Sequence, residues 1–282
     1  VAPQDALRWF DRPSLDQPIV VAAFKGWSDA GDSASAAAEY LAERWLLDAV
    51  AEIDPEEFFD FTVTRPEVRF DDDGGRVIDW PENRFLAGTV PGTSRDVVIL
   101  TGTEPQLRWR TFSGLIVDVA ESVGAEMIVT LGALLTDIPH TRPTSVVGTA
   151  EDDDLVDRLE LQRSTYEGPT GIVGALHEAC RDRRLSTVSL WSSVPSYVPG
   201  SPSPKAQLAL VERTARLLDV GIAATELEIA AAEYERQIDS LVGDDEESVE
   251  YVSGLERAYD ASELEGDSDT LVDEVERFLR ER

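Results

Sequence analysis

The sequence predicts an α/β protein: a three-layer α/β/α core around a mostly parallel or mixed sheet, followed by a helical extension. Three observations carry this expectation. Short continuous apolar runs such as "IVVAAF" (19–24), "DVVILTG" (96–102), "MIVTLGAL" (127–134) and "STVSLWSSVP" (186–195) read as strands buried on both faces. Helical patterns separate them, and strand–loop–helix alternation places helices on both faces of a parallel sheet. After the Pro/Gly/Ser-rich "VPSYVPGSPSP" (194–204) the pattern turns helical. The expected division is residues 1–204 as the α/β/α core and 205–282 as an acidic helical extension, packed on the core or on a neighbouring subunit.

Each element follows in order. The run 19–24 leads into the polar turn "KGWSDAGD" and then an Ala-rich helix over about 32–46, with Asp32 or Ser33 as its cap. "FFDFTV" reads as a strand around 58–63. "DDDGG" (71–75) is a hairpin turn signal, with "RVIDW" and "RFLAGTV" as strands beside it. Trp109, Phe112, Ile116, Val119 and Val123 recur at helical spacing and form one apolar face. "SVVGTA" (145–150) is a shorter strand, and "EDDDLVDRLEL" a short helix whose acidic start suits the helix dipole. Leu208, Val211, Ala215 and Leu218 form a stripe on one later helix. Leu227, Ala231, Tyr234, Ile238 and Leu241 form a stripe on the next. Val249, Val252 and Tyr259 suggest a third, and Leu271, Val275 and Phe278 a fourth.

Composition excludes several function classes. The net charge is −31, from 25 basic and 56 acidic residues. Nucleic acid and anionic membrane surfaces both call for a basic face, so neither is an expected partner. Residues 221–282 alone hold 20 acidic against 5 basic side chains. Lys25 and Lys205 are the only lysines, against 23 arginines, which fits a well-solvated surface encoded by a GC-rich genome, with halophilic adaptation as the alternative. The sequence shows neither a membrane-spanning run nor a signal-peptide pattern, and it has one cysteine, Cys180. A cytoplasmic location is therefore expected.

Catalytic motifs are absent: the chain has no dinucleotide fingerprint, no P-loop and no nucleophile elbow. One cysteine and two separated histidines, His140 and His177, give no zinc spacing, so neither a metal nor a cofactor is expected. His177 reads as an ordinary helix-face residue. Residues at the strand C-terminal ends are more suggestive, because ligands of open α/β sheets bind there. Lys25, Trp27 and Asp29 follow the first long strand, Glu104 and Arg108 the "DVVILTG" strand, and His140 and Arg142 lie in "DIPHTRP". Lys25 is suited to hold an anion, or to act as a base if desolvated, with Asp29 as its ion-pair partner. With adjacent strands, these groups would line either a polar cleft or a subunit interface. In "GPTGIVG", Gly168, Thr170 and Gly171 precede a helix whose backbone N–H groups suit an anion, the alternative being a turn with close helix packing.

Three long phrases carry a family resemblance: "FKGWSDAGDSASAAAEYL", "TGTEPQLRWRTFSGLIVDVAESVGAEMIVTLGALLTDIPHTRP" and "YEGPTGIVGALHEACRDR". Together they resemble the proteasome assembly chaperone 2 family, and within it the bacterial, actinobacterial-type branch, over roughly residues 5–260. The resemblance implies an α/β/α fold of the phosphorylase/hydrolase-like type, self-association, and no established catalytic residues. Eukaryotic and archaeal members are linked to proteasome assembly, and those that dock on proteasome rings use a C-terminal hydrophobic-Tyr-any tail. This sequence ends "RFLRER", which lacks it, so docking by that route is not expected. The leading expectation is a non-catalytic assembly or interaction protein forming a homo-oligomer, a trimer being one arrangement, with proteasome-related proteins as candidate partners. The alternative is a small-molecule-binding protein or an enzyme, of hydrolase or ATP-dependent ligase class, using the strand-end cleft around Lys25, Glu104 and His140.

Overall fold

A computed structural model describes residues 6–164 and 166–265. Its strands in chain order are β1 (Leu7–Trp9), β2 (Ile19–Lys25), β3 (Asp48–Ile53), β4 (Glu67–Phe70), β5 (Arg76–Asp79), β6 (Asn83–Thr89), β7 (Asp96–Thr103), β8 (Met127–Thr136), β9 (Val146–Ala150), β10 (Gln162–Arg163) and β11 (Ser186–Pro195). The helices are α1 (Ser33–Arg44), α2 (Trp109–Ser122), α3 (Asp153–Leu159), α4 (Ile172–Arg183), α5 (Pro204–Leu217), α6 (Thr225–Gly243) and α7 (Glu246–Glu265).

Nine strands form one sheet in the order β1-β3-β6-β7-β2-β8-β11-β9-β10. The central four, β7, β2, β8 and β11, are mutually parallel, and they are the four apolar runs read as buried strands. Antiparallel pairings extend the sheet on either side, through β6, β3 and β1 and through β9. The mixed three-layer arrangement is the one expected. Strand alternation sends Ile19, Val21 and Ala23 to one face, where α1 and α5 cover them, and Val20, Ala22 and Phe24 to the other, under α2 and α4. Every one of these six side chains is buried. The alanines of α1 let that helix lie close on the sheet: Ala34, Ala37 and Ala38 are wholly inaccessible.

The structure differs from expectation in three places. The segment 58–63 is a turn, not a strand. Phe58 and Phe59 leave a short 3-10 turn (Pro55–Glu57) and bury their rings under α2, Phe58 edge-on to Phe112 at 5.3 Å. The sheet position is taken by β3, whose pattern is too polar to read as a strand. Asp32 does not cap α1. It sits at φ 50° with no side-chain bond to the helix. Finally, the stretch expected as one extension from residue 205 divides. α5 lies against α1 and β11, with Leu210 and Val211 fully buried in the core. α6 packs on α5 and α7 on α6, outside that layer. The expected fourth helix and the chain's last residues lie outside the described residues.

β4 and β5 stand apart as a two-stranded hairpin closed by Asp71–Gly75. Val68 pairs with Ile78, and Phe70 lies two residues on from Val68, so these three share one face. They are 53 %, 69 % and 52 % exposed for Val68, Phe70 and Ile78 respectively.

Candidate functional site

The turn after β2 is held from inside by Asp29. Its Oδ1 accepts hydrogen bonds from the backbone N–H of Ala34 (2.7 Å) and Ser35 (3.2 Å), and Oδ2 accepts from Ser35 Oγ at 2.5 Å. Asp29 is therefore the side chain that satisfies the orphan donors of α1, the role expected of Asp32 or Ser33. Burial raises its carboxyl above the ordinary value, and the three donors pull it back. The expected Lys25–Asp29 pair does not form. Lys25 reaches outward instead to Glu39 on α1 at 2.9 Å, and both side chains are half exposed. The hydrogen bond that Lys25 donates to Glu39 raises the lysine above its usual value. Lys25 is thus a charged surface group, the opposite of a desolvated base.

Glu104 fills the anion position that Gly168, Thr170 and Gly171 were expected to offer to a ligand. Its Oε1 accepts from Ile172 N–H, the first residue of α4, at 2.9 Å, while Oε2 takes the Trp27 N–H at 3.3 Å. One carboxylate thereby ties β7, the β2 turn and α4 together and meets the positive end of the α4 dipole. The glycine is required by proximity: a Cβ at Gly171 would stand 2.9 Å from Glu104 Oε1 and 3.0 Å from the Trp27 ring. Thr170 sits over Gly174, where a Cβ would collide with its hydroxyl. Arg108, in the left-handed conformation at the start of α2, is turned away and pairs with Glu57.

His140 and Arg142 belong to a third cluster, which fastens α6 and α7 to the body. The His140 ring is enclosed. Nδ1 meets Tyr197 Oη at 2.7 Å, and Nε2 meets Asp239 of α6 at 3.1 Å. The same tyrosine oxygen accepts the His140 backbone N–H at 2.8 Å. Lys205 donates to the His140 carbonyl at 2.6 Å and pairs with Glu235 of α6. Arg142 bonds both oxygens of Asp260 on α7, at 2.7 and 2.8 Å, and Glu256 at 3.1 Å. The strand-end residues are thus divided among a helix-capping turn, a part-buried carboxylate bridge and an ion-pair clamp. They do not converge on a single polar cleft.

A cavity of about 600 Å³ lies elsewhere, on the α4 face of the sheet between α4, β9 and β11. Trp27, Trp109, Tyr166 and Trp191 supply its aromatic wall. His177 on α4 lines it too, with Nε2 3.1 Å from Thr130 Oγ1 and 3.3 Å from Ser189 Oγ. The two hydroxyls are 2.8 Å apart. By area His177 is only half-buried, because the cavity reaches it, yet protein atoms crowd the ring. That burial pushes its imidazole down to about 4, with Arg181 acting in the same sense and Glu151 opposing. In the sequence His177 reads as an ordinary helix-face residue. Its polar partners come from two other strands, Thr130 on β8 and Ser189 on β11, and only the β8–β11 register (Thr130 beside Ser189) reveals them. Cys180, one turn on, is buried and its thiol is pushed up to about 12, so it is no nucleophile. Among the described residues no group of carboxylate, histidine and cysteine side chains could hold a metal ion, and no helix is long and apolar enough to cross a membrane.

The model of the PAC2 family matches residues 23–242. The chain belongs to the PAC2 family. The matched span runs from β2 into the last turn of α6, so it takes in the first two clusters, the cavity and the third cluster except its α7 carboxylates. Among solved structures, a PAC2 family protein from Streptomyces avermitilis is 46 % identical, covers 83 % of this chain and 99 % of its own, and superposes with a TM-score of 0.78. A proteasome-assembly chaperone homologue from Mycobacterium tuberculosis is 42 % identical over 83 % of this chain and 99 % of its own, with a TM-score of 0.75. A second M. tuberculosis protein, of unknown function, is 28 % identical, with a TM-score of 0.85 over 98 % of this chain and 96 % of its own. That alignment extends over nearly the whole length of this PAC2 chain. Among curated proteins there is no match.

Proposed function

We propose that this PAC2 chain is a non-catalytic assembly factor that acts as a homo-oligomer and handles other protein subunits. The observation that carries the reading is the β4–β5 hairpin. An isolated two-stranded hairpin is marginal in water. This one keeps Val68, Phe70 and Ile78 on one solvent-facing side, with Val63 (68 % exposed) and Trp80 (44 % exposed) nearby. A contiguous exposed apolar face on an otherwise highly charged protein is the mark of a contact surface. A second copy of the chain is the occupant we assign to it, with a trimer as the first stoichiometry to test. The strand-end charges support the non-catalytic part of the reading, since Glu104, Asp29 and His140 are engaged in holding the fold. The 42 % identical M. tuberculosis relative, described as a proteasome-assembly chaperone homologue, makes proteasome subunits the first client to test. A cytoplasmic site of action follows from that client.

The test is the mass in solution by light scattering, for the wild type and for Phe70→Glu combined with Ile78→Glu. The wild type is expected at a multiple of 31.0 kDa and the variant at the single-chain mass. A wild-type protein that stays at the single-chain mass, or a variant that keeps the oligomer, overturns the assignment of this face.

A further inference from the structure

The cavity on the α4 face plays no part in that reading, and its chemistry is specific. Its volume of about 600 Å³ lies within the range of small-molecule sites, which are concave, mostly apolar and furnished with a few placed polar groups. Three tryptophans and a tyrosine from four separate segments of chain contribute to the wall: Trp27 after β2, Trp109 at the start of α2, Tyr166 ahead of α4, and Trp191 in β11. Glycines keep the wall in place. A Cβ at Gly132 on the neighbouring strand β8 would collide with the Trp191 ring, and one at Gly171 would press on Trp27.

Polar side chains line the wall as well, and two of its nitrogens are unused. Trp191 is buried, and its indole N–H has no hydrogen bond among the described residues. His177 spends Nε2 on the Thr130 and Ser189 hydroxyls, and its Nδ1 has no partner among the described residues. Both residues line a cavity that mixes aromatic side chains with polar ones such as Ser28, Thr149 and Thr170. Two arginines, Arg110 and Arg181, and two glutamates, Glu151 and Glu178, line the wall, so its charges balance. The α4 N-terminus, the natural anion site here, is already occupied by Glu104, and the Arg181 guanidinium is bonded to Glu151 at 2.7 and 3.0 Å.

We propose that the cavity walled by Trp27, Trp109, Trp191 and His177 binds an uncharged, planar heteroaromatic small molecule. Its faces lie against the tryptophans and its hydrogen-bonding edge meets the His177 and Trp191 nitrogens. Stacking supplies the affinity and the two nitrogens supply the orientation. A saturated ring of equal size satisfies neither demand.

The test titrates the full chain with quinazolin-4-one, a neutral planar probe with a donor–acceptor edge, and reads intrinsic tryptophan fluorescence together with calorimetry. Its saturated bicyclic analogue and naphthalene-2-sulfonate serve as comparisons. Saturable one-site binding of quinazolin-4-one is expected, at least tenfold tighter than either comparison compound. Trp191→Ala should weaken it at least tenfold. Trp191 packs on β8, so Thr149→Trp, which fills the cavity from the β9 side, gives a second variant expected to do the same. Lys25→Ala, on the far side of the β2 turn, should bind like the wild type. No saturable binding up to millimolar probe, equal binding by the saturated analogue, or unchanged affinity in the folded Thr149→Trp variant each overturns the proposal.

Discussion

Two regions of this PAC2 chain use charged and polar side chains in opposite ways. Inside the α/β/α body, the buried Asp29 and the part-buried Glu104 meet backbone N–H groups at the starts of α1 and α4. Around residues 140–143, His140, Lys205 and Arg142 meet side-chain carboxylates of α6 and α7 that are 28 to 60 % exposed. Losing a carboxylate in the first region leaves buried donors unsatisfied. Losing a charge in the second returns its partner to water, which costs little. The body's polar groups therefore determine whether the chain folds, and the clamp determines whether two helices stay docked on a chain already folded.

The sharpest way to break the contrast is Asp29→Ala. It removes three hydrogen bonds to a side chain only 6 % exposed and uncaps a 12-residue core helix. A loss of about 3 kcal/mol is expected from the cap and the orphaned donors together, read as a fall in the urea midpoint with unchanged slope. Asp29→Asn keeps an acceptor for Ala34 and Ser35 and should recover most of it. An alanine variant as stable as the wild type would mean that Asp32 or water takes over the cap.

His177 gives the second test, through pH. Its folded value of about 4 lies below the ordinary 6.5, mainly because burial disfavours the imidazolium. Between these values the unfolded chain binds more protons than the folded one, so stability rises with pH across that window. The contribution is complete above pH 6.5 and is lost as pH falls towards 4. From pH 7 to pH 5 the group should cost about 2 kcal/mol, and His177→Gln should flatten that part of the profile. A profile that keeps its slope in the variant would assign the titration to other groups.

Much of this was legible in the sequence, and the limits have physical causes. The four central strands are buried on both faces, so each reads as an unbroken apolar run, and β11 occupies the residues expected of it. β3 lies towards the sheet edge and alternates weakly, whereas the more apolar 58–63 segment buries phenylalanines from a turn. Burial and strand pairing are separate demands, and hydrophobicity reports only the first. The strand-end residues stand out in the sequence, but spacing along the chain does not say which partner each one meets. Lys25 has Asp29 four residues away and pairs with Glu39, fourteen away; Glu104 has Arg108 four residues away and bonds Ile172, sixty-eight away. The cavity was the hardest feature to see. Its walls come from several separate segments, and its one histidine carries no local motif.

The smallest expected effect, and the one that tests the other half of the contrast, lies in the clamp. Arg142 holds α7 through Asp260 and Glu256, and Thr141 adds a 2.5 Å bond to Glu256. At 1 M salt the screening length falls to about 3 Å, so exposed pairs of this kind weaken while buried carboxylate–backbone bonds do not. Hydrogen exchange separates the two, because local opening reports each helix by itself. Arg142→Ala, or 1 M sodium chloride on the wild type, should speed exchange in α7 and leave α1 and α4 unchanged, with no shift in the global unfolding midpoint. Docking should not be lost altogether, since Val252 of α7 and Tyr234 and Ile238 of α6 remain buried apolar anchors. Equal exchange in α7 with and without Arg142 would mean that those anchors alone hold the helices, and that the ion pairs only follow the fit.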